Sequence, residues 1–274
     1  MSLIVLLLQL IECFCLCSAS QTNTNFEACA RLVQQGEGFK GRGAMGIKVY
    51  GIATYNCQRV TLALLEFGVE DFELVKVYLK AGEHDAPSWT SMTPFKQVPV
   101  FECGDFHLYE SRAIVRYIAR KYKGQGPSLF GSTLEEQAIV DQWSEAEAYQ
   151  FSFSFLPWSL EYYVGRREER PLNEGVLKPF YDKLATFFDI CESQLSKTKY
   201  LAGDFYSVVD LNIAPSLLRV MTLKPELITT RKHVKRWYDS LASRPAFRKM
   251  LQADEHWAFA LNPSPAEILQ ALPA

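Results

Sequence analysis

The residues with the clearest chemical potential are Val98, Pro99, Glu110 and Ser111, in a stretch that reads as a β-hairpin running into a helix. Pro99 carries no backbone donor, so at the entrance of a strand it leaves the backbone of Val98 free for another partner. Ser111 precedes a helical run (Arg112 to Tyr122) and is predicted to be its N-cap, and a helix N-terminus binds anions. A free strand edge beside a capped helix start predicts a pocket for a small, extended, anionic peptide.

A mixed sheet is predicted to position this stretch. The apolar pattern of the first half gives the order β-α-β, a loop, and then β-β-α. Gly68 is placed to end the first helix, and Gly104-Asp105 is placed to turn the hairpin. The predicted elements before the hairpin are strand Ile47–Tyr50, helix Gln58–Phe67, strand Phe72–Tyr78, and an irregular loop Ala81–Pro94 with a helical turn. A crossover between parallel strands followed by a hairpin gives a compact sheet with helices on its faces.

Helical periodicity runs through the second half of the chain, after a Gly- and Ser-containing linker. The run from Ser207 to Asp210 reads as a capping box. The predicted helices are Leu134–Phe155, Leu177–Leu195, Ser207 to about Met221, Thr230–Ser243, and Ala246 to about Ala253. The chain is therefore predicted to be α+β, with a sheet domain at 45–125, a linker at 126–133, an all-helical domain at 134–255 and a tail at 256–274.

Residues 1–44 differ in composition from the rest of the chain. The segment Leu3–Cys17 is apolar with two polar interruptions, which is too short for a transmembrane helix of about 20 apolar residues. It is similar to a signal-peptide core followed by small residues at 18–20, but no Lys or Arg precedes it. We interpret 1–44 as a leader or extension outside the fold, and expect no stable membrane insertion.

Charge and cysteine content argue against several functions. The net charge is −2 with acids and bases interspersed, so no basic field favours nucleic acid. The seven cysteines are odd in number and show no C-x-x-C or Cys/His spacing for zinc. Free thiols of this kind are typical of a reducing compartment. We expect a cytoplasmic location and no bound metal.

Several short strings, in this order and spacing, give the chain a family resemblance. They are Lys48-Val49-Tyr50-Gly51, Gly82-Glu83-His84, Pro94-Phe95-Lys96-Gln97-Val98-Pro99, Tyr109-Glu110-Ser111-Arg112-Ala113-Ile114, Tyr200-Leu201-Ala202-Gly203-Asp204, Asp210-Leu211 and Ser243-Arg244-Pro245-Ala246. From about Ile47 to Leu251 the chain resembles the cytosolic glutathione transferases, and most of all the plant phi class. The resemblance implies an N-terminal thioredoxin-like βαβ-ββα domain followed by an all-α helical bundle domain.

The resemblance also implies that the anionic peptide is glutathione, a co-substrate that needs no further cofactor. Val98-Pro99 matches a Val and cis-Pro whose backbone groups pair with the cysteinyl part of glutathione. Ser111 and the helix amides would bind the γ-glutamyl carboxylate, and Glu110 would face the ammonium. The implied glutathione-binding residues are His84, Lys96, Gln97, Val98, Pro99, Glu110 and Ser111.

Two positions near the glycyl carboxylate of glutathione depart from the family pattern. The family commonly has Lys after the histidine, where this chain has Asp85, and Gly where this chain has Lys96. We hypothesise that the lost and the gained cation offset each other, with Lys96 supplying the carboxylate contact.

The implied chemistry needs glutathione as a thiolate, although a free thiol has a pKa of roughly 8.5. In the phi class a Ser hydroxyl, five residues before an Arg of the first helix, donates to the sulfur. Counting back from Arg59 gives Thr54 as the catalytic residue, after a loop one residue shorter than is common. Tyr55 is a rival donor, since phenols fill this role in other classes. Cys57 aligns with no catalytic role and leaves thiol-transferase or dehydroascorbate-reductase activity as a minor alternative.

A hydrophobic electrophile is expected to bind between the domains, where concave apolar pockets form. Ile52, Phe151 and Phe155 are its predicted contacts, although an aromatic stripe at helical spacing is more often core than substrate wall. Phe95 resembles the aromatic residue that other classes insert into a partner subunit, which predicts a homodimer. The alternative is that Phe95 caps a strand of its own domain.

Three functions remain open at this point. The first is a glutathione transferase that conjugates hydrophobic electrophiles, with possible reduction of organic hydroperoxides. The second is a non-catalytic carrier of flavonoid-like or hormone-like molecules, because the Thr54 substitution and the shortened loop both fall on the activating donor. The third is a retired enzyme that serves as a scaffold for a partner.

Overall fold

A computed structural model describes residues 46–52, 54–77 and 82–253, without the side chain of His84. The predictions made for 1–44, for the tail at 256–274 and for Tyr78 lie outside the described residues. No helix within the described ranges is long and apolar enough to span a membrane.

One mixed sheet of four strands forms the first domain, in the order β2-β1-β3-β4. Strand β1 is parallel to β2 and antiparallel to β3, which pairs with β4 as a hairpin. The strands are β1 Ile47–Gly51, β2 Glu73–Lys76, β3 Val100–Cys103 and β4 Phe106–Tyr109. With the helices below, this arrangement confirms the predicted α+β class and the βαβ-ββα order.

The helices follow the predicted order, with two differences besides shifts of up to three residues at their ends. They are α1 Tyr55–Glu66, a 3-10 turn Glu83–Asp85, α2 Pro87–Thr90, α3 Ser111–Lys121, α4 Leu134–Ala146, a π-helical segment Glu147–Ser152, α5 Phe153–Arg167, α6 Glu174–Leu195, α7 Val208–Leu223, α8 Glu226–Thr229, α9 Lys232–Ala242 and α10 Pro245–Ala253. The short α8 was not predicted. The helix predicted to end at Phe155 continues past Pro157 to Arg167, since Trp158 and the residues around it stay buried against the core.

The capping box predicted at Ser207 is present at the start of α7. The fully buried Asp210 carboxylate accepts hydrogen bonds from the Ser207 amide at 2.9 Å and the Ser207 hydroxyl at 2.7 Å. It also accepts one from the Trp237 indole at 2.9 Å, which ties α7 to α9.

Helix α1 joins the two domains. It packs on α3 in its own domain and on α7 and α10 in the other. At its end, the Glu66 carboxylate accepts two hydrogen bonds of 2.6 Å from the Arg244 guanidinium. The same guanidinium lies 3.7 Å from the ring centroid of Tyr206. A planar cation is therefore held by both a fork of hydrogen bonds and a ring face.

Arg244→Lys should lower the free energy of unfolding by about 1–3 kcal/mol, because lysine cannot form both hydrogen bonds or stack on the ring. Urea unfolding of both proteins measures the difference. Lys178→Ala breaks an exposed ion pair with Asp182 on α6 and should change stability by less than about 0.5 kcal/mol. Equal losses in the two variants would contradict the role given to Arg244.

Candidate functional site

A cavity of about 210 Å³ opens where the sheet domain meets the π-helical segment. Its walls come from the start of α1, the loop before β3, the start of α3 and the junction of the π-helical segment with α5. The lining residues are Tyr55, Asn56, Arg59, Thr93, Phe95, Gln97, Val98, Pro99, Tyr109, Glu110, Ser111, Arg112, Ser152 and Leu156. The structure thus brings together five of the seven predicted glutathione-binding residues; Lys96 is not among the lining residues, and the side chain of His84 lies outside the described part of the structure.

The start of α3 forms one wall of this cavity. The helix begins at Ser111 itself and Glu110 is its N-cap residue, so the prediction that Ser111 is the N-cap is wrong by one position. The reason is that Glu110 takes a left-handed φ of 70°, which turns the chain sharply out of β4 and places Ser111 in the first turn. No described side chain caps this helix, so its first-turn amides remain available to an anion.

A buried carboxylate, Glu147, lies behind the start of α3. Arg112 donates to it twice, from Nε to Oε2 at 2.7 Å and from Nη2 to Oε1 at 2.8 Å. Arg59 Nη2 donates to Oε1 at 3.2 Å, and the Ser152 hydroxyl donates to the same oxygen at 2.9 Å. Burial opposes ionisation, but the charges of the two guanidinium groups hold the pKa of Glu147 below its ordinary value. The carboxylate therefore joins α1, α3 and the π-helical segment.

Arg59 is the fully buried cation of this network. Its Nε donates to the Asn212 carbonyl of α7 at 2.7 Å, and its Nη1 donates to Asn56 Oδ1 at 2.7 Å and to Ser111 Oγ at 3.4 Å. Burial lowers the pKa of Arg59 to about 10, which leaves it charged at neutral pH. Two polar residues of the cavity wall, Asn56 and Ser111, are thus held from inside the core.

The Val98–Pro99 peptide bond is cis, as the family resemblance implies. Both residues line the cavity beside Gln97. The pairing of β3 with its neighbours begins at Val100, so Val98 takes no part in the described sheet. Val98 therefore lies in the wall of the cavity and outside the described ladder.

Lys96 and Asp85 form an ion pair next to the cavity-lining loop. Lys96 Nζ lies 2.7 Å from Asp85 Oδ1, and the two side chains are 49% and 58% exposed. Lys96 has a φ of 55°, a conformation that glycine adopts at least cost, which fits the Gly common at this position in the family. The backbone of His84 lies in the same 3-10 turn as Asp85. A carboxylate contact from Lys96 or His84 stays a prediction.

Thr54 is the N-cap of α1. Its hydroxyl oxygen accepts a hydrogen bond from the Cys57 amide at 3.4 Å, and its hydroxyl donates to Cys57 Sγ at 3.3 Å. The next two residues, Tyr55 and Asn56, line the cavity, whereas Thr54 is not among the lining residues. The hydroxyl therefore sits at the positive end of α1 and is hydrogen-bonded to its own helix.

The described cysteines, Cys57, Cys103 and Cys191, are buried and form no disulfide. Cys57 Sγ packs so closely on Gly51 that any side chain at position 51 would overlap the sulfur. A fully buried thiol cannot attack a disulfide, so the structure does not support the thiol-transferase alternative. No group of three His, Cys, Asp or Glu residues within the described ranges could hold a metal ion.

Contrary to the prediction that they contact the substrate, Phe151 and Phe155 lie in the core and are not among the residues that line the cavity. Both side chains are fully buried, with ring centroids 5.2 Å apart, and Phe151 packs 5.3 Å from Phe187 of α6. They continue the core-facing apolar stripe of α4. The structure thus agrees with the alternative interpretation, that this aromatic stripe is core and not substrate wall. Ile52 is half-buried and is not among the lining residues, whereas Leu156 is 47% exposed and lines the cavity.

Sequence reasoning gave no role to several residues of the site, namely Asn56, Thr93, Arg112, Glu147, Ser152 and Leu156. One of them carries a readable signal, because Glu147 is an acid at a core position four residues after the buried Trp143, and buried acids are rare unless paired. Ser152 and Leu156 carry no such signal, because the π-helical segment interrupts the 3.6-residue period and so changes which residues face the cavity.

Two family models match the chain. The model of the glutathione S-transferase N-terminal domain matches residues 45–120, and the model of the glutathione S-transferase C-terminal domain matches residues 180–245. A curated relative, glutathione S-transferase F9 of Arabidopsis thaliana, is 40% identical over 207 residues, which cover 75% of this chain and 96% of the relative.

Solved structures agree with these matches. Glutathione transferase F7 from Populus trichocarpa is 38% identical with a TM-score of 0.71, over 75% of this chain and 98% of that chain. Glutathione S-transferase I from maize, solved in complex with an atrazine glutathione conjugate, is 32% identical with a TM-score of 0.70, over 82% of this chain and 99% of that chain.

Glu147→Gln should lower the free energy of unfolding by about 3–5 kcal/mol at neutral pH, because two guanidinium groups lose the charge that compensates their burial. The folded pKa of Glu147 is depressed, so its contribution is complete above the ordinary carboxyl value of about 4.3 and is lost as pH falls through the folded value. The difference in the free energy of unfolding between wild type and variant should therefore shrink in acid. Urea unfolding of both proteins at neutral pH and at acid pH measures it.

Glu168→Gln is the matched control, because Glu168 also pairs with two arginines, Arg167 and Arg170, but at an exposed site. It should change stability little at either pH. A loss in Glu147→Gln that is the same at neutral and acid pH would contradict the assignment of a charged Glu147.

Proposed function

The chain belongs to the glutathione S-transferase family, and within it to the phi class, and we propose that it binds glutathione in the cavity and transfers it to hydrophobic electrophiles. One observation carries the proposal. The cis Val98–Pro99 edge and the uncapped start of α3 at Ser111 line the same cavity.

The proposed pose lays glutathione in an extended form across this cavity. The peptide groups of its cysteinyl residue pair with the backbone of Val98. Its γ-glutamyl carboxylate accepts hydrogen bonds from the first-turn amides of α3 and from the Ser111 hydroxyl, and Glu110 faces its ammonium. Arg112 stays paired with Glu147 and adds positive potential at this end.

Thr54 is the proposed activator of the thiol. Its hydroxyl now donates to a thiol sulfur, which is a weak acceptor, so a thiolate would compete well for the same proton. The hydroxyl oxygen can keep accepting from the Cys57 amide while this happens. The thiol proton leaves to solvent, and the thiolate electron pair forms the bond to the electrophilic carbon as the leaving group departs with its own pair.

The electrophile is proposed to lie against Leu156 and the ring of Tyr55, the apolar side of the cavity. These two residues replace the fully buried Phe151 and Phe155 as the proposed contacts of the electrophile. Reduction of organic hydroperoxides is proposed as a second reaction of the same thiolate: the sulfur attacks a peroxide oxygen, the O–O bond breaks and the alcohol leaves, and a second glutathione converts the resulting sulfenic acid into a disulfide and water.

The carrier and scaffold alternatives have less support, because curated relatives that are 40% identical to this chain are named as transferases. A homodimer and a cytoplasmic location are part of the proposal. Phe95 supports the dimer, since its side chain is 63% exposed although its ring lies 5.8 Å from Tyr109.

The test is an assay of the purified protein with glutathione and a chlorodinitrobenzene-type electrophile. Turnover supports the transferase. Binding to immobilised glutathione without turnover would support the carrier, and failure to bind glutathione would support the scaffold.

Thr54→Val should reduce kcat/KM about 10- to 100-fold while glutathione still binds, because without the hydroxyl the pKa of the bound thiol rises. Each unit of that rise costs about 1.36 kcal/mol, which is a factor of ten. Thr54→Ser should keep activity, since it keeps the hydroxyl. Cys57→Ala should also keep it. Steady-state kinetics at several pH values measures these effects. An active Thr54→Val beside an inactive Tyr55→Phe would assign the donor to Tyr55 instead.

Lys96→Ala should raise the KM for glutathione about 2- to 5-fold, the worth of one exposed ion-pair contact, but not the KM for glutathione esterified at its glycine. Asp85→Asn releases Lys96 from its ion pair and should lower the KM for glutathione alone. An unchanged KM in Lys96→Ala would contradict the proposed carboxylate contact.

A further inference from the structure

The wall of the cavity contains a buried hydroxyl that has no partner. Thr93 is 1% exposed, and its Oγ1 forms no hydrogen bond with any described residue. Leaving a buried hydroxyl unpaired costs about 1–3 kcal/mol, so such groups are uncommon and call for an explanation.

The backbone of Thr93 is firmly placed. Its amide donates to the Trp89 carbonyl at 3.0 Å, and its own carbonyl accepts from the Lys96 amide at 3.3 Å. These bonds fix the loop that carries Gln97 and leads to Pro99, two lining residues. The side chain thus stands in a rigid wall and is not part of a loose surface loop.

Other buried polar atoms without a partner in the described part of the chain include Asn212 Oδ1 and Ser216 Oγ on α7 and the indole nitrogens of Trp89 and Trp158. Among the residues that carry them, only Thr93 lines the cavity. Among the described residues, Thr93 is therefore the one position where a buried polar atom without a partner belongs to a residue that lines the cavity.

We propose that the Thr93 hydroxyl is a further glutathione-positioning contact, which pairs with a peptide group of the bound tripeptide beside Val98. The inference rests on the proposed function. A hydroxyl both donates and accepts, so it suits the amide or the carbonyl of an extended peptide. Glutathione binding then satisfies a group that the protein alone leaves unpaired.

The two states of the protein should respond differently to loss of the hydroxyl. Thr93→Val keeps the shape of the side chain, so the protein without glutathione should be as stable as the wild type or more stable. Glutathione should bind about 3- to 10-fold more weakly, which is the worth of one neutral hydrogen bond. The KM for glutathione should rise by the same factor, with kcat at saturation nearly unchanged.

Calorimetric titration with glutathione, thermal unfolding with and without glutathione, and steady-state kinetics test this on the full chain. Thr93→Ser keeps the hydroxyl and should bind as the wild type does. Ser216→Ala is the matched control, because Ser216 Oγ on α7 is also buried and unpaired but Ser216 does not line the cavity. It should leave glutathione affinity unchanged. Thr93→Ala is a second hydroxyl-free variant if the valine protein does not fold.

Wild-type affinity in the hydroxyl-free variants would overturn the role of Thr93 and leave the transferase proposal intact. A loss of stability without glutathione that matches the loss of affinity would also overturn it, because the hydroxyl would then serve the fold. If the wild type binds no glutathione, the proposed function and the role of Thr93 fall together.

Discussion

The ion pair between Glu147 and Arg59 is the constraint on which the site depends. Two charges almost completely removed from water are tolerated only if each keeps its partner, so the elements that carry them cannot move apart. Arg59 comes from α1 of the sheet domain and Glu147 from the π-helical segment of the helical domain. Arg112 and Ser152 complete the hydrogen bonds of the carboxylate. The relative position of the two cavity walls is therefore set by electrostatics as well as by packing.

The cavity draws its chemistry from the backbone at least as much as from side chains. Helices α1 and α3 both begin at its edge, and both ends carry the partial positive charge that favours a thiolate or a carboxylate. The cis Val98–Pro99 bond contributes a strand edge that the sheet does not use. In the proposed pose, side chains such as Thr54 and Ser111 refine an anion site that the two helix ends already favour. On that proposal, threonine can stand where the class usually has serine because it keeps the hydroxyl.

The sequence was sufficient to predict the fold and those walls of the cavity that are made by continuous stretches of the chain. The strings around Val98-Pro99 and Glu110-Ser111 predicted two walls because neighbours in the chain form each wall. Ser111 was misplaced by one position because the left-handed φ of Glu110 has no signature in a residue that is not glycine. Phe151 and Phe155 were misassigned because periodicity gives a helix an apolar face without saying what it meets. Contacts that depend on tertiary packing, such as the orphaned hydroxyl of Thr93, could not be predicted from local patterns.

The burial of the described thiols has a consequence for an enzyme whose substrates are electrophiles. Such molecules alkylate any accessible cysteine, including those of the protein that processes them. Cys57 lies near the proposed reaction centre, yet its sulfur is enclosed by Gly51 and the Thr54 hydroxyl, and Cys103 and Cys191 are buried as well. None of the described cysteines is therefore exposed to an electrophile, whereas the thiol that glutathione brings is. In the described part of the chain, tight packing thus doubles as protection against self-inactivation, and position 51 is closed to every side chain for as long as position 57 is cysteine.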